Sequence, residues 1–157
     1  MFGKLNQGEI EQVIQQQLVG RIGCHADGIT YVVPISYAYD GTFLYCHAGD
    51  GMKISMMRKN PDICFEVDNT ANLANWQSVI CWGTFEELPE GTERNNAVEK
   101  LEKRMLPMLS SETMRLAPQW PFPSPDANAI KGIIFRIRLT QKTGRFEKSS
   151  GEFFFAT

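Results

Sequence analysis

Histidine is scarce in this chain of 157 residues: there are two, His25 and His47, and none follows His47. No serine, cysteine, histidine and acid fall into a pattern that would suit nucleophilic catalysis by side chains alone. The four cysteines, Cys24, Cys46, Cys64 and Cys81, form no C-x-x-C pair, so a zinc site would lack paired ligands. Cys24 and His25 are neighbours, and neighbours in a strand face opposite ways. The thiols therefore read as reduced packing residues. No apolar run approaches the length of a membrane span, and the first seven residues hold no signal-peptide core. A net charge of -2 gives no global basic field for nucleic acid or an anionic membrane. The expectation is a cytoplasmic protein with neither of those as partner.

What is present suits a soluble globular chain: 43% of residues are hydrophobic and 22% charged, and 157 residues can bury a core as one domain spanning 1–157. The chain is organised around residues 31–68. Residues 31–39 are β-branched and aromatic, which predicts a strand. Asp40-Gly41 predicts a two-residue hairpin turn, with a return strand over 42–47. Alternation sets Phe43, Tyr45 and His47 against Leu44 and Cys46. Gly49, Asp50 and Gly51 lead into a short helix with Lys53 in its first turn, and Asn60-Pro61 stops it. A helix N-terminus offers unpaired N–H groups and a partial positive charge; Lys53 adds a full one and His47 a further donor. The combination suits a phosphate, although a solvated loop with an ordinary lysine has the same pattern.

Elsewhere, Asn6 and Glu9 have capping-box spacing before a helix over 6–18, with the stripe Ile10, Val13, Ile14 and Leu18. A strand over 19–26 meets the strand from Ile29 through Asp27-Gly28. Pro34 inside a strand requires an edge or a bulge. Residues 63–67 predict a strand, 68–75 a polar loop and 76–87 a long strand. On that last strand Val79, Cys81 and Gly83 oppose Ser78, Ile80 and Trp82. Trp76 and Trp82 suit either a planar ligand or ordinary core or interface packing. A second helix is expected over 92–108, then a proline-rich stretch around Trp120, a strand over 130–141 and a tail with Phe153, Phe154 and Phe155. Successive hairpins predict a mainly β, α+β fold: an antiparallel six- or seven-stranded barrel with two main helices.

Several of these pieces occur together in one family. Val33-Pro34-Ile35-Ser36-Tyr37, Tyr45-Cys46-His47-Ala48, Gly51-Met52-Lys53, Asn60-Pro61 and Cys64-Phe65-Glu66-Val67-Asp68 follow one another at fixed spacing. Trp76-Gln77-Ser78-Val79 with Gly83 comes next. Their order resembles the FMN-binding split-barrel proteins of the pyridoxamine 5'-phosphate oxidase-like superfamily, nearest to the nitroimidazole-resistance (Nim-type) branch. The resemblance implies a split barrel and a homodimer with FMN at the subunit interface. It also implies a flavin-based oxidoreductase that passes electrons to a small-molecule acceptor, a nitroaromatic in Nim-type relatives. It implies that Val33, Pro34, Ile35, Ser36, Tyr37, His47, Met52, Lys53, Trp76, Ser78 and Trp120 bind the cofactor, with His47 beside the reaction. Ser36, His47 and Lys53 would come from one subunit, Trp76 and Ser78 from the other. Vitamin B6 oxidases carry a late Arg-x-His element, whereas this chain has Arg136-Ile137-Arg138, so true pyridoxamine 5'-phosphate oxidase activity is not expected. Two alternatives stand beside this reading: a haem-binding split barrel, and a module that holds or senses flavin without turnover.

Overall fold

The computed structural model of the chain describes residues 1–105 and 130–149. Its frame is one antiparallel sheet of eight strands. In chain order the elements are β1 (Phe2–Lys4), α1 (Gln7–Gln16), β2 (Val19–Ala26), β3 (Ile29–Ser36), β4 (Ala38–Tyr39) and β5 (Phe43–Ala48). There follow α2 (Met52–Lys59), β6 (Asp62–Asn72), β7 (Asn75–Glu87), α3 (Thr92–Met105) and β8 (Ile133–Lys148). The strands are ordered β3-β2-β6-β7-β8-β5-β4, with β1 added to β8.

Local chemistry decides several boundaries. Asn6 accepts from the Glu9 N–H at 2.9 Å while the Glu9 carboxylate accepts from the Asn6 N–H at 2.7 Å, so the expected capping box forms. Helix α1 ends at Gln16, earlier than expected, and Leu18 is exposed rather than part of its stripe. Asp27 and Gly28 both take positive φ, 52° and 76°, in the turn between β2 and β3. The next turn differs by one residue from the expectation. Asp40 pairs with Phe43, its side chain accepts the Thr42 and Phe43 N–H groups, and Gly41-Thr42 are the central residues. Only Gly41 there needs positive φ, at 98°. An aspartate that caps the turn from outside cannot also be its first central residue.

The strand expected over 31–39 is two strands. β3 pairs with β2 at one end of the sheet, and β4 pairs with β5 at the other. The single residue between them is Tyr37, which is 1% exposed. The sheet is thus closed into a split barrel by the covalent chain at Tyr37, where hydrogen-bonded pairing stops. Pro34 lies opposite Arg21 in unbroken register on the outermost strand, so it is tolerated at an edge and not at a bulge.

Residues 68–75 were expected as a loop, yet β6 runs to Asn72, turns, and re-enters β7 at Asn75. Pairing with β7, in register from Asp68 opposite Ser78 to Thr70 opposite Trp76 and shifted by one residue before Asn72, overrides a polar composition of low strand propensity. β8 extends to Lys148 because it has partners on both sides: β7 along one edge, β5 and then β1 along the other. One extra residue, Thr140, bulges between those two halves, and its hydroxyl reaches the Trp82 carbonyl at 3.2 Å. β1 was not anticipated; three residues carry too little pattern to announce a strand. With β1 and the division at Tyr37, the count is eight rather than six or seven.

The barrel interior holds Ile22, Phe65, Val67, Val79, Cys81, Phe135 and Ile137, all fully buried. A second cluster lies outside it, where Val98 and Leu101 of α3 cover Ala38, Tyr45 and Ile134. α3 begins after Gly91, whose carbonyl accepts the Asn95 N–H, so Gly91 occupies the cap position. Helix α1 has no basic residue in its last turn, and its final carbonyls are satisfied from elsewhere. The Tyr37 hydroxyl donates to the Ile14 carbonyl at 2.7 Å, and Arg104 donates to the carbonyls of Gln15 and Gln17, each at 2.9 Å. Trp120, the surrounding prolines, Met108 and the three terminal phenylalanines lie outside the described residues. Tyr37→Phe leaves the Ile14 carbonyl buried without its donor. It is expected to lower stability by about 1–3 kcal/mol, read as a lower urea midpoint at unchanged slope.

Candidate functional site

The residues singled out from sequence fall into two groups. The first surrounds the start of α2. β5 ends at Ala48, and Gly49, Asp50 and Gly51 carry the chain into the helix. Gly51 is the N-cap with φ at -130°, an ordinary extended value, and no side chain caps the helix. A Cβ built at Gly49 or Gly51 would meet none of the described residues within 4 Å. Among the described residues no side chain caps the N–H groups of this helix N-terminus, in contrast to the capping box of α1. Lys53 is half-buried in the first turn of α2, and no carboxylate among the described residues pairs with it. Burial pushes the Cys24 and Cys46 thiols up, and the Lys53 charge works against that push at both. Lys53 is thus close enough to both thiols, one on β2 and one on β5, for its charge to act on them.

His47, on the outer face of β5, turns to the segment entering β8. Its Nε2 lies 2.6 Å from the Lys131 carbonyl oxygen. On β3, Pro34 and Ser36 are exposed, Val33 is half-buried and Ile35 is buried. The Tyr37 side chain is buried and bonded to α1, so that residue can offer a ligand only its backbone. Met52 is exposed beside Lys53.

The second group lies on the outer face of β2, β6 and β7. Arg21 bonds Asp68 at 2.7 Å and approaches Glu66 at 3.4 Å, and the Ser78 hydroxyl donates to Glu66 at 3.3 Å. Trp76 donates from its indole nitrogen to Glu147 at 3.1 Å and packs edge-on against Phe2, with ring centroids 5.9 Å apart. Trp76 also walls an open cavity of about 280 Å³, with Asn69, Gln77 and Phe146 among its other lining residues. Around these polar groups the face is apolar: Val32 is 63% exposed, Val19 46%, Trp82 40% and Ile80 37%. α2 packs on β2, and β6 lies between β2 and β7, so one chain does not bring Lys53 together with Trp76 and Ser78.

Sequence reasoning placed Arg21 on its strand but did not join it to Glu66 and Asp68. Two acids spaced by two on β6 share a face, which was readable; that Arg21 lies opposite Glu66 is a fact of register. The apolar outer face was also partly readable. Val79-Ile80-Cys81-Trp82 is apolar on both sides of a strand, which signals a sheet covered on both faces.

The fold is that of the small antiparallel split-barrel proteins, here with a lysine in the first turn of α2. The match to known families is specific: the pyridoxamine 5'-phosphate oxidase family profile covers residues 6–146, and this chain belongs to that family. An uncharacterized protein of Rhizobium meliloti (strain 1021) is 31% identical over 152 residues, which is 90% of this chain and 92% of that protein. Among solved structures, an FAD-binding protein from Mesorhizobium loti is 29% identical with a TM-score of 0.75, over 94% of this chain and 99% of that one. A Bacteroides thetaiotaomicron protein proposed to confer 5-nitroimidazole antibiotic resistance is 20% identical, with a TM-score of 0.69 over 93% and 87% of the two chains. The haem storage protein HutZ of Vibrio cholerae is 11% identical, with a TM-score of 0.64 over 90% and 94%. At these identities the last two show the fold alone. Its neighbours thus include flavin-binding and haem-storing proteins.

The acid pair gives a pH signature. Burial first, and then the Asp68 carboxylate, push the Glu66 carboxyl up; Arg21 and Ser78 pull it back by less. A raised carboxyl holds its proton more tightly in the folded chain. Its stabilising effect is therefore full below the ordinary carboxyl range and is lost as pH rises through the folded value. Glu66→Gln removes that titration. Its urea midpoint relative to the parent chain is expected to rise as the pH climbs upward from the ordinary carboxyl range.

Proposed function

We propose that this protein is an FMN-binding oxidoreductase that works as a homodimer, with one flavin at each of two sites built from both subunits. The observation that carries the reading is the α2 N-terminus. It has no side-chain cap, open backbone at Gly49 and Gly51, and a lysine without a carboxylate partner among the described residues. That donor set fits a phosphate monoester. When bound, FMN supplies the two-electron chemistry through its isoalloxazine ring. The chain's own residues would bind and orient it: Lys53 and the α2 N–H groups would hold the phosphate, the β3 backbone from Val33 to Ser36 would contact the ring, and His47 would hold or deliver a proton. The FAD-binding relative at 29% identity and the Nim-type likeness support a flavin and a small nitroaromatic or similar acceptor.

Two subunits supply what one chain separates. Val19, Val32, Ile80 and Trp82 form an apolar face around the Arg21, Glu66 and Asp68 cluster, and a second copy is the occupant that brings another chain's Trp76 and Ser78 to Lys53. Four free thiols suit the reducing cytoplasm, where we place the protein.

Absorbance of the purified protein, before and after titration with FMN and with FAD, tests the cofactor. A flavin spectrum with one site per chain is expected; a Soret band on reconstitution with haem, and no flavin binding, would overturn the assignment. Lys53→Ala is expected to weaken FMN binding by about 1.5–3 kcal/mol, the worth of a charge-assisted phosphate contact. Trp82→Glu is expected to convert a dimer to monomers in sedimentation velocity and to abolish flavin binding with it. A monomeric variant that still binds FMN at parental affinity would sink the shared site.

A further inference from the structure

We propose that Arg94 and Gly132 are positioning residues for His47, and that they set its neutral tautomer with the proton on Nε2. The relevance of this device to flavin chemistry rests on the reading above; the device itself rests on geometry alone.

The segment entering β8 is gripped at three successive points. Arg94 of α3 is 6% exposed, and it donates to the Leu88 carbonyl and to the Ile130 carbonyl, each at 3.2 Å. Among the described residues no carboxylate pairs with it. A guanidinium taken out of water and spent on two backbone carbonyls fixes the backbone that carries them. One residue further on, the Lys131 carbonyl lies 2.6 Å from His47 Nε2. Two residues after Gly132, the Ile134 carbonyl accepts the Leu88 N–H at 2.9 Å. Leu88 therefore links the Arg94 contact to β8 itself.

Gly132 lets the chain pass close to the ring. Its φ of 95° disfavours any side chain, and a Cβ there would stand 2.8 Å from the Ala48 carbonyl and 2.8 Å from His47 Nε2. A side chain there would press on both the β5 backbone and the ring, and moving the ring away lengthens the Lys131 contact.

A carbonyl oxygen only accepts, so the 2.6 Å contact requires a proton on Nε2. The Arg94 grip and the close pass of Gly132 thereby orient the imidazole of the one histidine that sequence placed at the candidate site.

The chain has two histidines, so the imidazole nitrogens of the ¹⁵N-labelled, flavin-free protein give two sets of long-range proton correlations, with His25 as internal reference. His47 is expected to show a protonated Nε2 and an unprotonated Nδ1 at neutral to alkaline pH. Gly132→Ala and Arg94→Met are each expected to replace that pattern by an averaged mixture of tautomers. Arg94→Lys, which keeps one donor, is expected to retain it, and covers the case in which Arg94→Met fails to fold. A parent spectrum with the proton on Nδ1, or unchanged His47 signals in both Gly132→Ala and Arg94→Met, would overturn the proposal. FMN titration of the same variants separates the two readings. With the tautomer lost, binding about fivefold weaker, the worth of one hydrogen bond, ties the device to the flavin. With the tautomer lost and binding unchanged in His47→Ala as well, the positioning stands and the flavin role of His47 falls.

Discussion

The whole arrangement depends on one crossing. Between Ser36 and Ala38 the chain leaves one end of the sheet and joins the other, and Tyr37 is the only residue in between. Hydrogen-bonded pairing cannot close the barrel there, so closure rests on the covalent chain and on what holds Tyr37 in place. Its ring packs edge-on against Phe65 with centroids 5.2 Å apart, and its hydroxyl satisfies a carbonyl at the end of α1. Burial pushes that hydroxyl's pKa further above its ordinary value, so it stays a donor across the working pH range. Helix α1, which brings no polar cap for its own C-terminus, is in turn held by Tyr37 and Arg104.

The crossing also decides what remains available for function. Because β3 ends the sheet, its outer edge is left unpaired among the described strands, with Pro34 and Ser36 exposed on it. Because β5 is recruited to β8, His47 is directed away from the barrel interior and toward the Lys131–Gly132 approach. The outer faces of β2, β6 and β7 are left with apolar side chains around an arginine and two acids, a surface more like an interface than a solvated face.

Readings based on short-range chemistry succeeded where one residue type has one cheap conformation. Asp27-Gly28 forms its turn with two positive φ angles, Asn6 and Glu9 cap α1, and Asn60-Pro61 stops α2. The same logic slipped by one residue at Asp40, because an aspartate can serve a turn either from inside or as an acceptor at its flank. It failed over 68–75, where polar residues are held extended by pairing with β7, and at β1, which exists because β8 is long enough to take a second partner. At the site, Lys53, His47 and the 33–37 segment were legible as residue types in order. The Arg21, Glu66 and Asp68 cluster and the Arg94 grip on the approach to β8 were not, since each joins residues far apart in the chain.

By itself the sequence determined the alternation of each strand, the turns and caps between them, the family, and the lysine-bearing helix start, because these follow from bonds and propensities within a few residues. Tertiary structure alone decided that one predicted strand is two, that Pro34 sits on an edge, and that a buried arginine reaches the segment holding His47. The reason is physical: pairing register and side-chain burial are set by contacts between distant segments, and local propensities of a few tenths of a kcal/mol yield to them.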